Sequence, residues 1–171
     1  GYSPQVQALQ SELNRSAAPG APRLIETGKL DYATLVSPSH PVRYDLERLE
    51  AAAAREAAAH RAAVLGQPLP AGTPADPEGQ AGLEARARAP LPASLIRRRD
   101  ALDRARSALD GLLAAAEPAK SPKNITPGML KALAAQRRDA ARWIQLAALE
   151  ETMAALEPLQ FLRDDALKES L

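Results

Sequence analysis

The residue pair best suited to chemistry in this chain is Glu56 and His60, four positions apart in an alanine-rich segment. On a helix this spacing puts both side chains on one face, where they could supply half of a metal site. The sequence offers no second pair of ligands to complete such a site, because the only other histidine is His40 and there is no second Glu–His pair. A hydrogen-bonded polar pair that fixes the register of two helices is the simpler interpretation. We therefore expect no metal and no other cofactor.

The remaining reactive side chains argue against an enzyme. The chain has no cysteine, which excludes disulfides, thiolate metal sites and cysteine nucleophiles. It contains no phosphate-binding glycine loop, nucleophile elbow or paired zinc motif. Aromatic residues make up 3% of the chain, too few for the walls of a ligand pocket or for base stacking. We expect no catalytic residue and no small-molecule substrate.

Basic residues are concentrated in one segment. There are 11 basic and 5 acidic residues between Leu95 and Gln145, but 2 basic and 6 acidic residues in 146–171. The basic segment could bind the phosphates of a membrane surface or of a nucleic-acid duplex. Its candidate residues are Arg97, Arg98, Arg99, Arg104 and Arg106, with Lys120 and Lys123 in a loop. The interleaved Asp100, Asp103 and Asp110 favour the alternative, a solvated helix face with local ion pairs.

The only tryptophan, Trp143, follows a second basic group. A tryptophan beside arginine is typical of an anchor in a protein–protein interface. The alternative is ordinary core packing, because Trp143 adjoins the apolar residues Ile144 and Leu146. The candidate residues for binding a protein partner or a second copy are Trp143, Arg137, Arg138, Arg142, Met153 and Leu156.

Two long helices should carry these groups. Thr126 is a suitable N-cap and Pro127 a suitable first residue for a helix of about 31 residues that Pro158 ends or kinks. Its main stripe, in steps of three and four, is Leu130, Leu133, Arg137, Ala140, Ile144, Ala147, Glu151 and Ala154, and Trp143, Leu146, Leu149, Met153 and Leu156 widen the apolar face. The preceding helix should run from Pro92 or Ala93 to Ala116, with Leu95, Leu102, Leu109 and Ala116 recurring every seven residues. Together they predict an antiparallel hairpin over 94–157.

The rest of the chain predicts a third long helix and several shorter pieces. The long helix falls within 37–66, and its stripe is Val42, Leu46, Leu49, Ala53, Glu56, His60 and Ala63. Residues 1–36 should form a short helix, from Ser3-Pro4 to about Arg15, and then an extended arm over Arg23–Val36. Six prolines and three glycines predict a linker or loop over 67–93, with a short helix capped by Asp76. Residues 158–171 should form a short helix or a tail.

These features predict an all-α protein, an elongated, coiled-coil-like bundle of three long helices with short helices and a proline-rich loop. The expected function is a non-enzymatic structural or adaptor role through helix–helix contacts, such as a component of a bacterial secretion system or a phage particle. The alternative is a membrane-targeting bundle or a duplex-binding protein that uses the basic segment. We expect a soluble chain without a transmembrane helix, in a compartment that the sequence leaves open. The first residue, Gly1, indicates a processed chain or a fragment.

Overall fold

The computed structural model describes residues 1–65 and 90–169, and the side chains of residues 1–64 and 90–157. The helix predicted after Asp76, and most of the predicted linker, lie outside the described residues. Over the described ranges the chain is helical without any strand, which confirms the all-α class. The helices are α1 (Pro4–Arg15), α2 (Tyr32–Val36), α3 (Ser39–Leu65), α4 (Ala93–Ala116) and α5 (Pro127–Glu169).

α4 and α5 pack side by side as an antiparallel hairpin. Later positions on α4 lie beside earlier positions on α5: Arg97 pairs with Glu150, and Arg104 covers the ring of Trp143. Further along, a Cβ atom added to Gly111 would lie 3.6 Å from the side-chain nitrogen of Gln136. The connection is made of two short 3₁₀ turns, Glu117–Lys120 and Pro122–Asn124. The Thr126 hydroxyl accepts a hydrogen bond from the Met129 N–H at 3.1 Å, so Thr126 caps α5 as its sequence predicts.

α3 packs against both helices of the hairpin and completes a three-helix core. The heptad leucines Leu95, Leu102 and Leu109 of α4 are each at most 3% exposed. Opposite them, α3 contributes Leu46 and Leu49, which are equally buried. The space between is filled mainly by small side chains, which are Ala53, Ala57, Ala101, Ala105, Ala140 and Ala147. Because alanine projects little beyond the backbone, the three helices can approach one another closely.

A smaller cluster lies at the loop end of the hairpin. Val36 of α2 packs there with Leu112 and Ala116 of α4 and Leu133 of α5. The prediction of an extended arm over Arg23–Val36 is wrong for the last five residues of that segment, because they form the helix α2. The Asp31 carboxylate caps this helix by accepting a hydrogen bond from the Thr34 N–H at 2.9 Å, a local signal that sequence reasoning overlooked.

α5 is longer than its sequence predicts. The helix has 43 residues and continues through Pro158 to Glu169, so of the two outcomes expected at Pro158, an end or a kink, the end is wrong. A proline inside a helix removes one hydrogen bond and crowds the carbonyl four residues earlier, at a cost of about 3 kcal/mol. It does not prevent the next turn from forming, and the sequence Leu159–Glu169 contains mostly good helix formers.

Within residues 1–65 and 90–169, no helix is long and apolar enough to span a bilayer.

Candidate helix-binding groove

The Glu56–His60 pair does not act as a unit. The Glu56 carboxylate pairs with Arg98 of α4. The His60 Nε2 atom lies 3.2 Å from the backbone carbonyl oxygen of Pro90, and it donates a hydrogen bond to that oxygen in the tautomer that carries the hydrogen on Nε2. The two side chains therefore serve different neighbours. In the part of the chain that the structure describes, no group of three or more His, Asp or Glu residues is placed to hold a metal ion.

Arg98 is buried in the three-helix core, although its sequence suggested a surface residue. Its side chain is 2% exposed. One guanidinium nitrogen pairs with Glu56 of α3, and the Nη2 atom lies 3.5 Å from the Oε2 atom of Glu151 on α5. A signal was available, because Glu56 and Glu151 both interrupt predicted apolar stripes. Two acidic residues on facing stripes require a buried basic partner.

The other arginines of the 97–106 cluster lie at the surface, and three of them contact carboxylates. Arg97 donates two hydrogen bonds to Glu150, at 3.0 and 3.2 Å, which raise the pKa of Arg97. Hydrogen bonds to Glu50 likewise raise the pKa of Arg106. Arg104 pairs with Asp100 at 3.2 Å, one turn away on the same helix. Arg99 is exposed and lines a shallow groove between α3 and α4.

The two candidate lysines lie at the loop end of the hairpin. Lys120 pairs with Glu117 at 2.8 Å, and this hydrogen bond is the main cause of the raised pKa of Lys120. The same ammonium lies 5.3 Å from the centre of the Tyr32 ring, which is within cation–π distance. Lys123 is exposed. Lys120 therefore stabilises the first 3₁₀ turn internally and links it to α2.

An apolar groove of about 450 Å³ runs along the outer side of the hairpin, between α4 and α5. Its α5 wall contains Leu146 and Leu149, and its α4 wall contains Ile96 and the stem of Arg97. Towards the C-terminal half of α5 the apolar surface continues with Met153 and Leu156. The exposed fractions of the large apolar side chains are 51% for Ile96, 47% for Leu146, 54% for Leu149, 57% for Met153 and 51% for Leu156.

Trp143 closes one end of this groove. It packs partly against the core, and its ring is covered by the Arg104 guanidinium, whose Cζ atom lies 4.6 Å from the ring centre. Trp143 therefore lies at the boundary between the core and the exposed surface of the groove. The ion pair between Arg97 and Glu150 flanks the middle of the groove.

The structure brings together some of the predicted partner-binding residues. Trp143 lines the groove, and Met153 and Leu156 line the hollow next to it, which shares Arg97 and Glu150 with the groove. The exposed Arg142 precedes Trp143 on the same helix. Arg138 is exposed and Arg137 is half-buried, one to two turns from the groove. Sequence reasoning missed three apolar residues of the groove. It did not single out Ile96 on α4, and it assigned Leu146 and Leu149 of α5 to the core-facing side of the helix.

α5 thus carries two apolar stripes rather than one broad stripe. The first, with Leu133, Ala140, Ile144 and Ala147, is buried against α3 and α4. The second consists of Leu146, Leu149, Met153 and Leu156, which we call the outer stripe.

Comparison of the chain with protein-family models finds no match, and neither does comparison with curated proteins or with solved structures.

Proposed function

We propose that this chain is a non-enzymatic structural or adaptor protein that works through helix–helix contacts, with the groove between α4 and α5 as the binding surface for a helix of another chain. The observation that carries the proposal is the outer stripe, from Leu146 to Leu156. Its residues repeat in steps of three, four and three, which is the spacing of a coiled-coil seam. Each is about half exposed, and a contiguous exposed apolar patch is typical of an interaction site. Such a role suits a component of a bacterial secretion system or a phage particle.

The anion-binding alternative has less support. Four arginines of the basic cluster are engaged with carboxylates, namely Arg97, Arg98, Arg104 and Arg106. A guanidinium that already pairs with a carboxylate contributes less net attraction to a phosphate surface. The groove, in contrast, offers apolar area that a partner helix would remove from water.

The proposal is tested by site-specific photo-cross-linking in the cells that produce the protein. A benzophenone amino acid replaces Leu149 in the groove, and in a control it replaces Leu9 on α1, which is 46% exposed. We expect discrete cross-linked protein products from position 149 that are absent from position 9. Equal, diffuse labelling from the two positions would contradict a binding role for the groove.

A further inference from the structure

We infer that the helix bound in the groove is α5 of a second copy of this chain, running antiparallel to the first; this inference rests on the function proposed above. The steps of three, four and three in the outer stripe read the same in both directions. A two-fold axis beside position 151 therefore places Leu146 opposite Leu156 of the second copy, and Leu149 opposite its Met153. A self-complementary patch of this kind is what a symmetric dimer interface requires.

Charges in line with the outer stripe favour the antiparallel direction. Continuing in steps of three and four, the positions before it are Arg142 and Asp139, and those after it are Gln160 and Arg163. The antiparallel register sets position 139 opposite position 163, an aspartate against an arginine, and position 142 opposite position 160. A parallel pair would instead set Asp139 against Asp139 and Arg142 against Arg142, and like charges in register oppose association.

The length of α5 makes this register available. The overlap from position 139 to position 163 spans about 36 Å at 1.5 Å per residue. It depends on the continuation of the helix through Pro158 to Glu169. Near the two-fold axis the two copies of Glu150 approach each other. Each already accepts two hydrogen bonds from its own Arg97, which offsets their mutual repulsion.

The first experiment is sedimentation equilibrium of the full chain over roughly a hundredfold range of concentration. We expect a monomer–dimer equilibrium for the wild type. Leu149→Glu buries a charge at the centre of the interface in both copies and should weaken dimerisation by about 100-fold or more. The matched control is Leu9→Glu, because Leu9 is exposed to a similar extent, 46% against 54% for Leu149, but lies on α1. This variant should dimerise like the wild type. Circular dichroism verifies that both variants remain helical.

A charge exchange tests the register. Asp139→Arg and Arg163→Asp each put like charges in register and should weaken the dimer by about 3- to 10-fold. The double variant restores opposite charges and should recover the wild-type affinity. Additive weakening in the double variant would overturn the register.

Spin labels test the direction, since the chain has no cysteine of its own to interfere. Nitroxides on Thr152→Cys, next to the axis, should lie within about 20 Å of each other. Nitroxides on Lys131→Cys should be about 60 Å apart in an antiparallel pair, because each lies 20 residues from the axis. A short distance at both positions would mean a parallel pair and would overturn the inference.

The outcomes separate this inference from the proposed function. A chain that remains monomeric, but cross-links from position 149 to a different protein, would overturn the second-copy inference and leave the helix-binding function intact. A monomeric chain without specific cross-links would overturn both. A dimer that Leu149→Glu dissociates, with the long Lys131 distance, supports both.

Discussion

At the scale of single residues, Arg98 links the three long helices. Among the side chains that the structure describes, it is the largest that is almost fully buried, and it contacts Glu56 on α3 and Glu151 on α5. Both acidic side chains keep part of their surface in water, with 50% and 35% exposed, although the Oε2 atom of Glu151 is itself buried; the Arg98 side chain is only 2% exposed. The free-energy cost of desolvation therefore arises mainly from the arginine.

This asymmetry predicts unequal effects of removing the two sides of the interaction. Arg98→Met leaves two partly hydrated carboxylates and keeps most of the packing volume, so the free energy of unfolding should fall by less than about 1.5 kcal/mol. The double variant Glu56→Gln with Glu151→Gln leaves a buried guanidinium without a counter-charge and should lose about 3 kcal/mol or more. Urea unfolding compares the two. A larger loss for Arg98→Met would mean that the carboxylates depend more on the arginine than their exposure suggests.

At the scale of elements, the N-terminal segment is held together by hydrogen bonds rather than by an apolar stripe. α1 buries Gln10 completely, while the apolar side chain of Leu9 on the same helix is 46% exposed. The Gln10 amide donates to the Lys29 carbonyl and to the Thr34 hydroxyl, both at 3.0 Å, and accepts from the Gly28 N–H at 2.9 Å. These bonds fix the chain around Gly28, whose φ of +72° favours glycine.

Two glycines provide a matched test of this arrangement. Gly20 and Gly28 both have positive φ, but a Cβ atom at Gly20 meets nothing within 4 Å, whereas one at Gly28 would lie 2.5 Å from the ring of Tyr2. Gly20→Ala should therefore cost only the backbone strain, about 1 kcal/mol. Gly28→Ala should cost about 1–3 kcal/mol more, because the ring must move. Thermal unfolding measures both. Equal losses of stability in the two variants would show that the Tyr2 ring moves away from the new Cβ atom at no cost.

Much of the helical architecture could be predicted from the sequence, since local signals such as Thr126 and the leucines seven residues apart on α4 are decisive. Which face of α5 is buried could not be predicted from the sequence. The helix carries two apolar stripes with the same spacing, around Ile144 and around Leu149, and only the packing of α3 and α4 decides which stripe is buried. The groove depends on that non-local choice. The burial of Gln10 was likewise hidden, because composition alone makes polar residues surface candidates. The burial of Arg98 could have been inferred only by pairing it with Glu56 and Glu151, which interrupt two apolar stripes.

At the scale of the whole molecule, His40 lies where the N-terminal segment meets the three-helix bundle. The side chain borders a crevice between the loop around Ala18 and the start of α3. Burial, and secondarily the positive charge of Arg43, lowers the pKa of His40 below its ordinary value of 6.5. Protonation of His40 therefore opposes the docking of the two parts.

The sign of the pH dependence follows from this shift. Below about pH 6.5 the unfolded chain binds a proton at His40 that the folded chain resists, so stability declines as the pH falls from 6.5 towards the lower folded pKa. Above 6.5 this contribution is fully present. His40→Gln should flatten that part of a curve of unfolding free energy against pH. An unchanged slope in the variant would assign the decline to other groups.

The alanine-rich core has a consequence for the response to temperature. Unfolding exposes little apolar surface where the buried side chains are methyl groups such as those of Ala53, Ala105 and Ala140. The increase in heat capacity on unfolding scales with that surface, so it should be small for a chain of this length. A small increase flattens the curve of stability against temperature. The fold should therefore melt gradually when heated and resist cold denaturation well below the freezing point.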